Sequence, residues 1–213
     1  MTDWSARAEA YRNAPEHREG ADLDLIVRWA EDESAETALD VATGGGHVAR
    51  RLREAGLSVV SSDPAPGMRP DVVCRAEHLP FADGAFDVVV TRIAPHHFDD
   101  VAAATAEMAR VSRVLVVVED TLFVSEQVEE AEQLRDPTHV RSYSENEWRA
   151  LLVAAGLEVE QVESFEKRHP LEEWLARTGT PDEDAARVKE LLAEQIEGDE
   201  YVDTKLLFRT RKR

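Results

Sequence analysis

Apolar positions along this chain fall into two alternating rhythms. In "ADLDLIVRWA" (21–30), Leu23, Ile26, Val27 and Ala30 share one helical face. Residues 37–42 make a short buried run, read as a strand. Val48, Leu52 and Ala55 return at helical spacing until Gly56 stops them. "LSVVSSD" and "FDVVVTR" (86–92) read as strands, the second entered through the turn "ADGAF". Val101, Ala104, Met108 and Val111 form a helix stripe, and "VLVVVED" (114–120) is apolar enough for a strand covered on both faces. Ser144 and Glu147 form a capping box that opens "ENEWRALLVAAG", with Trp148, Leu151, Leu152 and Ala155 facing inward. "LEVEQVES" predicts a further strand. Thr180, Pro181 and Glu183 predict a capped helix closed by Gly198, and "YVDTKLLFRT" the last strand.

Strands alternating with helices imply an α/β fold: a mostly parallel sheet with helices on both faces. Such sheets take ligands beyond the C-terminal ends of their strands. One segment breaks the alternation. Only "PAPGMRP" separates the second strand from "DVVC", and a parallel crossover needs roughly a dozen residues or more. The crossover helix between strands 2 and 3 is therefore expected to be missing. "DVVC" becomes a short edge strand on a Pro-rich loop, leaving one sheet face less covered there.

The 213 residues suffice for a single domain spanning 1–213. With 25 Lys and Arg against 44 Asp and Glu, the formal charge of −19 repels phosphate backbones and argues against a nucleic-acid substrate. The basic end "FRTRKR" reads as a solvated chain terminus. A single cysteine, Cys74, excludes an internal disulfide framework and any multi-cysteine metal site. The N-terminal stretch has no apolar core of a signal peptide and no run reaches membrane-spanning length, so a cytoplasmic protein without a membrane span is expected. A homodimer is compatible with these numbers.

The candidate chemistry begins at "ALDVATGGGHVARRL". Gly44, Gly46 and Ala49 fit G-x-G-x-x-G/A, and Asp63 follows Gly44 by nineteen positions, as in a dinucleotide fingerprint. Asp40 argues for another ligand. A carboxylate inside the strand end must be paired or hydrogen-bonded, and it repels a pyrophosphate. S-adenosylmethionine (SAM) carries an ammonium and a sulfonium and no phosphate. A purely local role for Asp40, tying down the loop, is compatible with this.

Four stretches occur in order: "LDVATGGGHVA", "SSDPAPGM", "AEHLPFADGAFDVVVTRIAPHHF" and "LRDPTHVRSYSENEWRALLVAAGLEVE". Together they resemble the class I SAM-dependent methyltransferases, and within them the ubiquinone/menaquinone-biosynthesis C-methyltransferase-like family, over about residues 8 to 210. The resemblance implies a Rossmann-like sheet of seven strands with an antiparallel last strand. It also implies SAM as cofactor and a small-molecule methyl acceptor. Asp40, Ala42, Gly44 and Gly46 align with the loop that holds the amino-acid end of SAM, with Ala42 where a glycine is usual. Asp63 corresponds to the ribose anchor. Pro64 and Met68 would wall the adenine, and Ala76 and Glu77 would meet its edge, because Arg75 stands where the family has an Asp. Arg92 and Ile93 would touch the methionine part through their backbone. Tyr11 lies in a segment (1–20) that folds over SAM as a lid. His47 reads as a turn or cap residue.

His96 and His97 follow the fourth strand and are general-base candidates, since histidine titrates near neutral pH. As chain neighbours they are not expected to face the site together. His139, in "RDPTHVR", is a candidate for acceptor contact. No third ligand at suggestive spacing accompanies these histidines, so no metal is expected. Two other readings stay open: a SAM-binding or partner-regulating protein without catalysis, and an NAD(P)-dependent oxidoreductase. The latter lacks a Tyr-x-x-x-Lys pair near the site, since Glu147 follows Tyr143 and the Tyr201–Lys205 pair lies in the last strand.

Overall fold

A computed structural model describes Ala8, Glu9, Arg12 and residues 15–212. After a short turn of helix α1 (Pro15–Arg18), the chain runs α2 (Ala21–Asp32), β1 (Thr37–Val41), α3 (His47–Glu54), β2 (Ser58–Asp63), β3 (Val72–Val73), β4 (Phe86–Arg92), α4 (Val101–Val111), β5 (Ser112–Thr121), α5 (Glu126–Arg135), α6 (Glu145–Ala154), β6 (Leu157–Pro170), α7 (Leu171–Thr178), α8 (Asp182–Leu191), β7 (Ile196–Glu197) and β8 (Glu200–Lys212). The sheet order is β3-β2-β1-β4-β5-β8-β6, with the two-residue β7 added against β8. β8 is antiparallel to both of its neighbours, while β1 to β5 run parallel. The seven-strand path with an antiparallel last strand is as expected; β7 is an addition to it.

Alternation along the strands sends side chains to two cores. Leu39, Val41, Val89, Val116, Val118 and Phe208 meet Met108 of α4 and Trp148 and Leu152 of α6 on one face. Ala38, Val88, Val90, Leu115, Val117 and Leu207 meet Ile26 and Trp29 of α2 and Leu52 of α3 on the other. Burying side chains of this size is worth about 1.5–3 kcal/mol each. Local chemistry agrees with this packing: Asp100 caps α4 by accepting from the Ala103 N–H at 2.9 Å, and the Ser144–Glu147 capping box of α6 is formed in both directions.

The β2–β3 connection contains one 3-10 turn, Pro66–Met68, and no α-helix. What holds it is Asp71. Its Oδ2 accepts from the Ser61 N–H and hydroxyl at 2.8 Å each and from Arg53 at 2.7 Å. β3 is the edge strand, and Val73 is 56% exposed.

The C-terminal third departs from the sequence reading. β6 continues to Pro170, six residues past the predicted end. There it pairs with the start of β8, beyond Thr121 where β5 stops pairing with that strand. This ribbon carries α7, which the apolar pattern did not reveal. α8 ends at Leu191 and has no side-chain cap: the Thr180 hydroxyl donates to the carbonyls of Arg135 and Leu175 instead. Gly198 belongs to the β7–β8 turn, at φ 67°. α5 was likewise not predicted. Together α5, α7, α8 and Tyr201 form a third apolar cluster around Trp174 and Leu191.

Candidate functional site

The C-terminal ends of β1, β2, β4, β5 and β6 and the first half of antiparallel β8 meet at one rim of the sheet, where a cavity of about 800 Å³ opens. Its wall includes Asp40, Ala42, Gly44, Asp63, Pro64, Met68, Ala76, Glu77, Arg92, Ile93, His96, His97 and His139. Of the predicted site residues, Gly46 is not on this wall. It is the N-cap of α3, at φ 77°. Tyr11 lies outside the described residues.

One end of the cavity is made by the β1 and β2 loops. Asp40 Oδ2 accepts from the Thr43 hydroxyl at 2.5 Å and from the Ala49 N–H at 3.0 Å, which satisfies part of a buried carboxylate. Burial still lifts its pKa to about 6 against those two bonds. Asp63 accepts from the Gly44 N–H (Oδ2, 3.0 Å) and from the Ala65 N–H (Oδ1, 2.9 Å). Burial raises its pKa too. Gly44 sits at φ 50°, and a Cβ built there would meet only the Ala42 carbonyl, 4.0 Å away. Its bare backbone therefore opens to free space. Ala42, at the usual glycine position, adopts φ 55°, a strained angle for a residue with a Cβ. Arg75 turns onto Asp99 (2.6 Å) and Glu77 (3.2 Å), while Glu77 Oε1 also accepts from the Asp99 N–H at 3.0 Å.

In the middle, the Arg92 side chain is committed to the protein rather than to a ligand. It bonds Asp22 at 2.5 Å and Glu119 at 3.0 Å, and Lys167 completes the group on Asp22 at 2.8 Å. These cations, against burial, hold Asp22 down to about 2, whereas burial lifts Glu119 to about 7. Arg92 Nη1 also donates to the His17 carbonyl at 3.1 Å. Ile93 follows at φ 52°, a rare angle for a β-branched residue, with its N–H bonded to the Glu119 carbonyl.

The other end gathers histidines. His96 and His97, both on the 3-10 turn Pro95–His97, line it together, contrary to the expectation for chain neighbours. Their ring centroids are 4.2 Å apart, and His139 stands 5.3 Å from His96. His96 Nδ1 lies 2.5 Å from Asp120 Oδ1, and Asp120 is fully buried. His97 Nδ1 donates to the Thr138 carbonyl at 3.0 Å. His139 Nε2 lies 3.1 Å from Glu129 Oε2. Burial, with His139 and Lys205 nearby, pushes His96 down to about 3; burial and His96 do the same to His97. Both are neutral imidazoles at neutral pH, not groups that titrate there. Burial lifts Asp120 to about 7. His139 differs: burial works against its charge, but Glu129, Glu132 and Asp120 outweigh it and raise its pKa. Among the described residues no group of three or more His, Cys, Asp or Glu is arranged to hold a metal ion.

Sequence reasoning missed much of this end. His169, Trp174, Arg177, Asp203 and Lys205 line it from the β6–β8 extension and α7, and Glu132 and Arg135 from α5. Lys205 Nζ bonds Asp203 at 2.8 Å and Thr121 Oγ1 at 2.7 Å. The Arg135 guanidinium lies 3.9 Å over the Trp174 ring. No apolar alternation marked the extension, since Phe165 is the one large apolar side chain in "SFEKRHP".

A Rossmann-like sheet with an acid-plus-glycine loop and a strand-end aspartate on one cavity defines a nucleoside-cofactor protein. Residues 39–114 match the Methyltransferase domain family. The uncharacterized methyltransferase YcgJ of Bacillus subtilis is 33% identical over 215 residues, covering 90% of this chain and 83% of that one. A methyltransferase candidate from Bacillus halodurans superposes with a TM-score of 0.79 at 27% identity, over 91% of this chain and 99% of that chain. A methyltransferase candidate from Haloferax volcanii, in complex with the Trm112 methyltransferase activator, shares the fold along 100% of both chains (TM-score 0.69, 19% identity). The chain belongs to the class I SAM-dependent methyltransferases, and SAM is its methyl donor. The residues fit that donor: two carboxylates and a bare glycine backbone complement a cation and a diol, and Asp40 disfavours a pyrophosphate.

Proposed function

We propose that this enzyme methylates oxygen or carbon of a small metabolite held at the histidine end of the cavity. The observation that carries the reading is the division of one cavity of about 800 Å³ into a carboxylate–glycine end and a histidine end. That size lies within the roughly 300–1,000 Å³ of small-molecule sites. In this reading Asp40 and the Ala42–Gly44 loop hold the ammonium end of SAM and Asp63 its ribose. Pro64 and Met68 wall the adenine, Ala76 and Glu77 meet its edge, and the backbone at Arg92 and Ile93 borders the methionine part. Bound SAM supplies an electrophilic methyl group, so the protein's work is alignment, exclusion of water and removal of the acceptor proton. His96 is the base: neutral, and oriented by Asp120. His97 and His139 flank it.

The N-terminal segment serves as the lid. Ala8 packs with Ala65 and Met68, Arg12 donates to the Gly67 carbonyl at 2.9 Å, and His17 lies between Arg92 and Arg177. The test is calorimetric titration with S-adenosylhomocysteine, repeated with Asp63→Ala, followed by transfer of labelled methyl to a panel of hydroxylated metabolites. Saturable binding lost in the variant, with transfer to a panel member, is expected; binding that ignores Asp63 would overturn the site.

A second reading concerns assembly. The H. volcanii neighbour occurs with the Trm112 activator, and β3 here is a short edge strand with Val73 exposed and, among the described residues, no helix in the connection that leads into it. An added strand can pair with such an edge. Co-expression with a Trm112-type protein should then give a complex that Val73→Asp weakens; separate elution of the two wild-type chains counts against it.

A further inference from the structure

His96 and His139 come from different parts of the chain, the turn after β4 and the loop after α5, yet their rings stand 5.3 Å apart, tilted by only 31°. Each commits one nitrogen to a carboxylate that is not on the cavity wall: His96 Nδ1 to Asp120 and His139 Nε2 to Glu129. Those carboxylates fix both ring orientations, leaving Nε2 bare in the neutral His96 ring and Nδ1–H available in the protonated His139 ring. Glu129 is itself anchored, accepting from the Ser142 N–H at 3.1 and 3.2 Å. The remaining nitrogens, His96 Nε2 and His139 Nδ1, make no hydrogen bond among the described residues, and both side chains line the cavity.

We propose that His96 and His139 act on one acceptor as an opposed pair, His96 Nε2 taking the proton of an acidic O–H and His139 Nδ1–H donating to a neighbouring oxygen, so that the acceptor is a phenol or enol with a second oxygen on the adjacent carbon. This rests on the methyl-transfer reading above and names the acceptor class for it. The acceptor O–H bond breaks and its proton moves to His96. The electron pair left on oxygen forms the new O–CH3 bond, the pair of the broken S–CH3 bond stays on sulfur, and the proton passes to solvent after release. A simple alcohol has one oxygen and leaves His139 without a role.

The electrostatics of the two rings support the division. His96 faces Asp120 from β5, His97 on its own turn, His139, Lys205 from β8, and Glu132 and Asp136; burial dominates and keeps it neutral. His139 faces Glu129 and Glu132 of α5, Asp120 and the two other histidines, and the carboxylates favour its charged form. Two like groups whose environments push them apart are the signature of an acid and a base. Asp120 and Glu129 are positioning residues in this arrangement.

The test uses 4-nitrocatechol, whose anion and acid absorb at separate wavelengths, titrated into the full chain saturated with S-adenosylhomocysteine at pH 6. The wild type is expected to bind it with the anion enriched over free solution. His139→Gln and the conservative Glu129→Gln should each lower the bound anion-to-acid ratio about tenfold, the equivalent of one pKa unit, with unchanged affinity for S-adenosylhomocysteine. Binding of the acid form by the wild type, no binding of the probe to the S-adenosylhomocysteine complex, or a ratio indifferent to both substitutions would overturn the proposal. Failure of the wild type to bind S-adenosylhomocysteine would instead bring down the cofactor site of the proposed function, and this inference with it.

Discussion

The two ends of the cavity are built in different ways. At the carboxylate end, hydrogen bonds join residues close in the chain: Asp40 to Thr43 and Ala49, Asp63 to Ala65 and, nineteen positions away, Gly44. At the histidine end they join distant ones. Tyr201 donates to Glu132 across 69 positions, Lys205 to Thr121 across 84, and His17 meets Arg177 across 160. The first end is a property of two strand–loop units. The second exists only once β6 and β8 extend past the sheet and carry α7 over it. The carboxylate end can thus keep its form while the histidine end varies, because the elements that make one do little to hold the other.

If the ends are separable, substitutions should affect one and spare the other. The largest effect is expected for His96→Ala: turnover falls about 10²–10⁴-fold, the usual worth of a positioned general base, while calorimetry finds S-adenosylhomocysteine affinity unchanged. An equal loss of cofactor binding would break the division. Asp63→Ala should do the converse. Removing an ionised acceptor costs about 1.5–3 kcal/mol per hydrogen bond lost; two ribose hydroxyls then correspond to a loss of binding of about a hundredfold or more.

Smaller, but shared by both ends, is a dependence of stability on pH. Asp40 is lifted to about 6, and Glu119 and Asp120 to about 7, all above their unfolded values. These acids therefore keep protons in the native state that they lose in the unfolded chain between about pH 4 and pH 7, and their contribution is lost as pH rises through that window. His96 and His97, pushed down to about 3, work the other way up to their unfolded value of 6.5, as Asp22, held at about 2, does below pH 4. Substitution isolates the part of each acid: the urea midpoint of Asp120→Asn relative to the wild type should rise between pH 5 and pH 8, and that of Asp40→Asn over a lower part of the window, which would assign the dependence to each end. A difference that ignores pH would mean these acids are ionised partners rather than buried burdens.

The smallest effect belongs to Ala42. Its φ of 55° is costly for any residue with a Cβ, and glycine removes the strain at some cost in chain entropy. Ala42→Gly should stabilise the protein by up to about 1 kcal/mol in a denaturation curve and leave S-adenosylhomocysteine binding intact. Destabilisation would show that the Ala42 methyl is packed rather than tolerated.

Much of the first end was legible in the sequence. Asp40, the three glycines, Asp63 and Glu77 lie on short loops directly after apolar runs, and strand ends are where such sheets bind ligands. The missing crossover helix could also be read, since seven residues between two strands leave no room for one. Arg75 is a departure that made sense only with its partners: Asp99 and Glu77 hold it, which no local pattern encodes. The histidine end was legible only in part. His96, His97 and His139 stand in recognisable stretches, but Asp120 and Glu129 gained their roles from contacts made in three dimensions. α5 and α7 went unseen because their apolar faces cover each other and Tyr201 rather than the sheet.

The sequence by itself determined the alternation of elements from α2 through β5, the two-faced sheet, the glycine loop and the acids at its strand ends, because each of these follows from spacing within a few residues. Only the tertiary structure decided which histidines are pushed down and which is raised, and which carboxylates stand behind them. It alone brought His169, Asp203, Lys205 and Arg177 to the same cavity. Burial and charge at a point depend on everything packed around it, and around this cavity those neighbours come from every part of the chain.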